Sequence, residues 1–159
     1  MAGMDADACA LLARIIREVR VAALGTLRQG APLVSMVTFL PEADFGGFRL
    51  RVSRLAWHTQ DMLADARVSL SIAEPDDGRA DPQTLARVAL RGDVVQLPGE
   101  GESFERLKAD WLARFPESAV TFGLADFGFW RFVPRDARFV AGLGRTYNLS
   151  AESLRRSAI

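Results

Sequence analysis

"VRVAALGTLRQGAPLVSMVTFL", Val19 to Leu40, decides how this chain folds. Its two arms are rich in β-branched and apolar residues and are separated by Arg28-Gln29-Gly30. The stretch therefore reads as a β-hairpin closed by a short glycine-containing loop. The second arm is apolar at nearly every position, the pattern expected of a strand covered on both faces. Before the hairpin, Ala8, Leu11, Leu12, Ile15, Ile16 and Val19 recur at helical spacing. Arg14, Arg17 and Glu18 fall on the opposite side, which predicts an amphipathic helix.

Beyond the hairpin, "FRLRVS" (48–53) and "RVSLSIA" (67–73) alternate apolar and polar residues, as strands with one buried face do. Between them "AWHTQDMLADA" (56–66) predicts a short helix. "EPDDGRADPQ" (74–83), with its prolines and aspartates, predicts a solvated loop. "ARVALRGDVVQL" (86–97) is a longer strand whose Gly92 marks a bulge or bend. "ESFERLKADWLARF" (102–115) sets Phe104, Leu107, Trp111 and Phe115 on one side of a second amphipathic helix, stopped by Pro116. "FGFWRFVP" and "ARFVAGLG" predict two more strands around a Pro-Arg-Asp turn, followed by a polar tail. The fold class is mainly β (α+β): about six to seven mostly antiparallel strands forming a barrel, with two or three peripheral helices. Residues 1–159 read as a single domain.

Composition narrows the function. Twenty basic residues balance twenty acidic ones, so no overall field recruits nucleic acid or an anionic membrane. Cys9 is the only cysteine, which excludes an intramolecular disulfide and a cysteine-based zinc site. The acidic start "MAGMDADACA" lacks the basic region of a signal peptide, and no apolar run is long enough to span a bilayer. A cytoplasmic protein is the expectation.

The chemistry converges on "LRVSRLAWHTQDM" (50–62), where a strand runs into a helix. It carries the chain's one histidine, His58. A helix starting near Leu55 or Ala56 presents unpaired N–H groups and partial positive charge, which suits a phosphate. Ser53, His58 and Thr59 can donate to it, with Arg51 and Arg54 nearby. The plainer alternative makes Ser53 an N-cap and His58 a surface histidine. His58 and Asp61 make half a metal site, no Ser-His-Asp arrangement is specific, and glycine-rich phosphate loops are absent. If this is an enzyme, a bound cofactor carries the hard chemistry; no catalytic side chain is identified. Trp57, Trp111 and Trp130 read as core or interface aromatics. Arg145, near the end of the last predicted strand, is either an anion clamp toward substrate or a solvated arginine. Arg87 and Arg91 point away from the core.

"GAPLVSMVTF", "LRVSRLAWHTQDMLADARVSLSI" and "FGFWRFVPRDARFVAGLGRTYNL", in this order, resemble the flavin-binding split-barrel family related to pyridoxamine 5'-phosphate oxidase. The "SRLAWHT" segment with the "GLGRTY" ending is most like the branch that includes haem-utilisation flavoproteins. The resemblance implies a split barrel and a homodimer with flavin mononucleotide (FMN) at its interface. Ser35, Met36 and Val37 would run along the isoalloxazine ring. Val52, Ser53, His58, Thr59 and Gln60 would fall on the phosphate turn, and Arg87 where the family reaches the flavin of the other subunit. The chain departs from true pyridoxamine phosphate oxidases at Ser35 and at Trp57-His58, where they carry arginine and an Arg-Lys pair. The haem-utilisation branch usually adds a C-terminal domain, and this chain stops soon after the barrel, so haem breakdown is not the expectation. The leading expectation is an FMN-dependent oxidoreductase of unidentified substrate. The alternatives are a haem-binding or haem-utilisation protein with His58 as axial ligand, and a non-enzymatic flavin-binding module.

Overall fold

Strands β1 (Val21–Arg28) and β2 (Ala31–Pro41) form the expected hairpin, with Arg28 paired to Ala31 across a two-residue turn. Gln29 and Gly30 take φ of 52° and 82°, the left-handed pair whose twist matches that of the strands it joins. The structure, a computed structural model, describes residues 3–159. Met1 and Ala2, at the head of the acidic start, lie outside the described residues.

Five further strands complete a seven-stranded antiparallel sheet: β3 (Phe48–Ser53), β4 (Arg67–Ala73), β5 (Arg87–Gln96), β6 (Phe127–Gly142) and β7 (Arg145–Ser150). Their order is β3-β2-β1-β4-β5-β6-β7, and β3 also pairs with β6. That second pairing closes six strands into a barrel and leaves β7 outside on β6. The closure is split. β2 meets β3 only through Phe39, Leu40 and Pro41, so residues 31–38 pair with β1 alone.

One expectation fails at Pro134. The Pro-Arg-Asp segment is not a turn between two strands, because β6 runs through it unbroken for 16 residues. Proline removes a ladder donor, and the sheet absorbs it at a bulge where the register shifts between Arg91 and Gly92. Along its other edge β6 serves two partners in turn: residues 127–132 pair with β3, and residues 136–142 with β7. The seventh strand comes from Arg145–Ser150, which read as polar tail because its outward residues are all hydrophilic.

Four α-helices surround the barrel: α1 (Ala6–Glu18), α2 (Trp57–Ala64), α3 (Glu102–Arg114) and α4 (Ala151–Arg156). The Asp5 carboxylate caps α1 by accepting the Ala8 N–H at 2.7 Å, and Leu12, Ile15 and Ile16 enter the main core. Phe39, Phe48, Phe132 and Phe139 are fully buried there, each contributing about 1.5–3 kcal/mol. A second, smaller cluster joins Leu107 and Trp111 of α3 to Phe129 of β6, with Phe104, Phe115 and Phe122 around them.

Two arginines bind the outer elements. Arg114 of α3 donates to the Phe39 carbonyl at 2.9 Å and to the Arg17 carbonyl at 2.8 Å, and also to Val19. It thereby fastens α3 to the open end of α1 and to β2. Arg51, on the expected polar face of β3, is buried. A 3-10 segment (Pro116–Gly123) crosses it, so its guanidinium lies 3.7 Å from the centre of the Phe122 ring and donates to Thr121. Among the described residues, no helix is long and apolar enough to cross a membrane.

Candidate functional site

At the strand-to-helix junction, β3 ends at Ser53 and α2 begins four residues later. The N-cap is Ala56, which has no side chain able to cap. Ser53 therefore is not the N-cap. Its hydroxyl accepts the Leu55 N–H at 3.1 Å and donates to the Asp126 carboxylate at 2.8 Å. Its one proton is committed to a carboxylate. The first turn of α2, by contrast, keeps its orphan N–H groups without a side-chain acceptor.

Along that turn the candidates part company. Thr59 is only 1% exposed, and its Oγ1 is a buried hydroxyl with no partner. Gln60 is exposed, and Val52 is buried in the core, where only its backbone is available to a ligand. His58 is half-buried and has no hydrogen-bond partner among the described residues. Burial lowers its pKa below the ordinary imidazole value, opposed by the Asp61 carboxylate. At neutral pH the ring is thus predominantly neutral and has a lone pair to give, which suits a metal better than it suits ion pairing with phosphate.

The helix itself is held by groups that the sequence reading passed over. Asp61, 4% exposed, accepts from the Thr26 hydroxyl at 2.7 Å and from Arg28 at 2.8 Å. Arg28 stacks on Trp57, 4.1 Å from the ring centre. Trp57 is accordingly a surface residue and not a core aromatic, whereas Trp111 and Trp130 are buried. The only signal in the sequence was the i, i+3 spacing of His58 and Asp61. Nothing in it showed that the end of β1 would reach that carboxylate.

Ser35, Met36 and Val37 occupy the length of β2 that has no neighbour on its outer edge. Contrary to expectation, β2 is not covered on both faces: Val34 and Met36 are each 68% exposed. They border an open, largely apolar shelf of about 540 Å³, lined also by Val21, Ala23, Ser71 and Ala73. Strand pairing extends this surface sideways, from Met36 to Ala23, Ser71, Ala89 and Arg138. Arg87 stands opposite Ala73 at the shelf's margin, its guanidinium donating to the Gln83 and Leu85 carbonyls at 2.7 and 2.9 Å. His58 is not among the residues lining the shelf. It stands on the helix that packs against β1 and β2. Arg145 is exposed and reaches the Asp5 carboxylate at 3.4 Å, a pairing at the barrel's N-terminal helix remote in sequence from the junction.

A closed antiparallel barrel with one split seam, peripheral helices and an apolar outer shelf defines the split-barrel class, to which proteins of the pyridoxamine 5'-phosphate oxidase type are structurally related. Within that class the chain belongs to the CREG β-barrel family, whose profile matches residues 5–154. It is 37% identical over 126 residues to HOZ, a chloroplast heme oxygenase of Arabidopsis thaliana, a match covering 78% of this chain and 36% of that protein. The chain thus spans about a third of the length of that relative. The solved structure of a heme binding protein from Mycobacterium smegmatis superposes with a TM-score of 0.82 at 26% identity, covering 98% of this chain and 62% of that one. A Clostridium acetobutylicum protein of the pyridoxinephosphate oxidase family shares the fold, with a TM-score of 0.70 at 12% identity over 95% of this chain and 99% of that one. The sequence reading set flavin ahead of haem. Two of the three relatives above are named for haem and the third for the pyridoxinephosphate oxidase family.

Proposed function

We propose that this protein binds haem, and that flavin binding, the leading expectation from sequence, is the second reading. The observation that carries the proposal is the shelf. A porphyrin needs a broad apolar surface, and the shelf provides one, floored by small side chains and rimmed by two large apolar side chains left in water. Arg87 stands at its margin, where a carboxylate side group of the ring would meet it, although Glu74 also lines the shelf. His58 is the one imidazole the chain has for the iron, and its neutral, unpartnered state fits that role. Because His58 lies off the shelf lining, the proposal includes a homodimer in which the shelf of one chain is completed by its partner. The relatives named for haem support this reading.

Haem, when bound, supplies the iron and the redox chemistry; the chain supplies surface, charge and one nitrogen ligand. The test is a titration of the purified protein with ferric haem, followed by the Soret band, with His58→Ala and Met36→Glu beside the wild type. Saturation near about one haem per chain, a changed spectrum in His58→Ala and weakened uptake in Met36→Glu are expected. A wild type that leaves the spectrum of free haem unchanged would overturn the proposal.

The FMN reading keeps two specific observations in its favour. The unpaired edge of β2 at Ser35–Val37 offers backbone groups to the rim of a flat ring, and the uncapped first turn of α2 offers N–H groups to a phosphate. On that reading FMN binds far more tightly than riboflavin, and flavin fluorescence quenching during titration measures the difference.

A further inference from the structure

We propose that Asp61 and Arg28 are positioning residues that fix the His58 imidazole, an inference that rests on the haem reading for the ligand that imidazole would take. Few buried groups hold α2. A helix of eight residues does not persist on its own. Its buried side chains are Thr59, Asp61 and Met62, while Trp57 and Leu63 are 60% and 63% exposed. Met62 is the one wholly apolar side chain it buries, with Thr59 the buried member of its first turn, so packing holds the helix by few groups.

A polar clamp adds to this hold. The Asp61 carboxylate takes one hydrogen bond on each oxygen, from Thr26 at 2.7 Å and from Arg28 at 2.8 Å. Both donors stand on β1, so the helix is referenced to the β1–β2 hairpin. Arg28 then reaches the first turn in two ways. The same guanidinium donates to the Trp57 carbonyl at 3.4 Å and lies against the Trp57 ring. Trp57 is the residue before His58, and Asp61 is three residues after it, so the imidazole is bracketed by the two points at which the clamp grips the helix. Loss of the Asp61 charge releases Arg28 from its partner and with it the hold on Trp57. The Asp61–Arg28 pair is the means by which a short helix with few buried side chains presents its imidazole in one orientation.

The experiment compares wild type, Asp61→Asn, Arg28→Ala and Arg28→Lys as full-length chains. Before any ligand is added, NMR of the single imidazole reports its order, and acrylamide quenching reports the cover on Trp57, since Trp111 and Trp130 are buried. Ferric haem titration then gives affinity and Soret position. In Asp61→Asn and Arg28→Ala the imidazole resonance broadens, Trp57 quenching rises, haem affinity falls about tenfold or more, and the Soret band moves to that of His58→Ala. Arg28→Lys, which keeps the charge but not the stacked plane, recovers part of the loss. Wild-type imidazole resonances and a wild-type Soret band in both clamp variants would overturn the inference while leaving haem binding intact. Should the wild type bind no haem while the clamp variants still disorder the imidazole, the haem reading falls and the positioning role stands. If Asp61→Asn does not fold, Arg28→Ala, whose side chain lies at the surface end of the clamp, decides the matter alone.

Discussion

The Ser53 hydroxyl donates to the Asp126 carboxylate at 2.8 Å, and the Arg54 N–H donates to the Asp126 carbonyl at 2.7 Å. The end of β3 is thus stitched at two points to the loop that enters β6. Ser53 serves as a joint of the fold, its proton committed to Asp126. Ser53→Ala is expected to lower stability by about 1–2 kcal/mol in urea unfolding, the cost of leaving a carboxylate and an N–H short of a partner. FMN affinity is expected to change by less than about twofold. A variant of wild-type stability with sharply weaker FMN binding would return Ser53 to the ligand.

Most of the barrel was legible because its strands alternate and its turns carry glycine or proline. The helix over 6–18 was legible from the spacing of Ala8, Leu11, Leu12, Ile15, Ile16 and Val19. What local pattern could not show was how a strand interrupted by Pro134 continues. That depends on Gly92, 42 residues earlier in the chain, which was flagged as a bulge without its partner being visible. Nor could it show that β2 has an uncovered face, because an apolar run is the same in sequence whether another layer lies on it or not.

Gly92 is expected to tolerate no side chain. A Cβ built there would lie 2.1 Å from the Val133 carbonyl oxygen and 2.9 Å from the Phe132 ring. Backbone cannot yield as a flexible side chain does, so Gly92→Ala has to open the β5–β6 bulge. A loss of about 3 kcal/mol is expected, measured by thermal unfolding, with Gly128→Ala as a control at a site where a Cβ meets nothing within 4 Å. Equal melting temperatures for the two variants would mean that the bulge opens without cost.

Acid sensitivity is expected from Glu42. Arg131 binds both its oxygens, at 2.7 and 2.8 Å, and Arg49 binds one at 2.6 Å. The Arg131 hydrogen bonds, resisted by burial and helped by Arg49, hold the carboxyl below its ordinary value of 4.5. A carboxylate with a depressed folded pKa contributes stability above its unfolded pKa and loses it as pH falls through the folded one. Glu42→Gln is therefore less stable than wild type at pH 7, and the two stability curves converge below the unfolded value. Parallel curves down to the acid limit would show that the cluster is too solvated to matter.

The candidate site was legible in part, and for a physical reason. Uncapped helix starts and lone histidines are visible in a sequence, so the turn at Trp57–Thr59 was found. Whether Ser53 was free or Thr59 accessible depends on Asp126 and on the packing of α2 against β1, neither of which leaves a local trace. The clamp of Thr26, Arg28 and Asp61 was missed for the same reason: its members lie 33 and 35 residues apart.

Thr59→Val separates the two ligands. The Thr59 hydroxyl is buried without a partner, a state that costs about 1–3 kcal/mol relative to a satisfied or absent group. Valine has the same branching and nearly the same volume, so the helix and its packing are kept. Without any ligand effect, Thr59→Val is expected to be as stable as wild type or more so, by up to about 1 kcal/mol, in chemical denaturation. The orphan hydroxyl sits in the first turn of α2, beside the free N–H groups. If a flavin phosphate enters that turn, it supplies the missing partner, and the variant loses FMN affinity while gaining stability. Haem on the outer shelf has no use for this hydroxyl, so Thr59→Val leaves haem affinity unchanged. A variant that loses haem and keeps FMN would contradict both placements, because it would make the Thr59 hydroxyl a haem contact and not a phosphate contact.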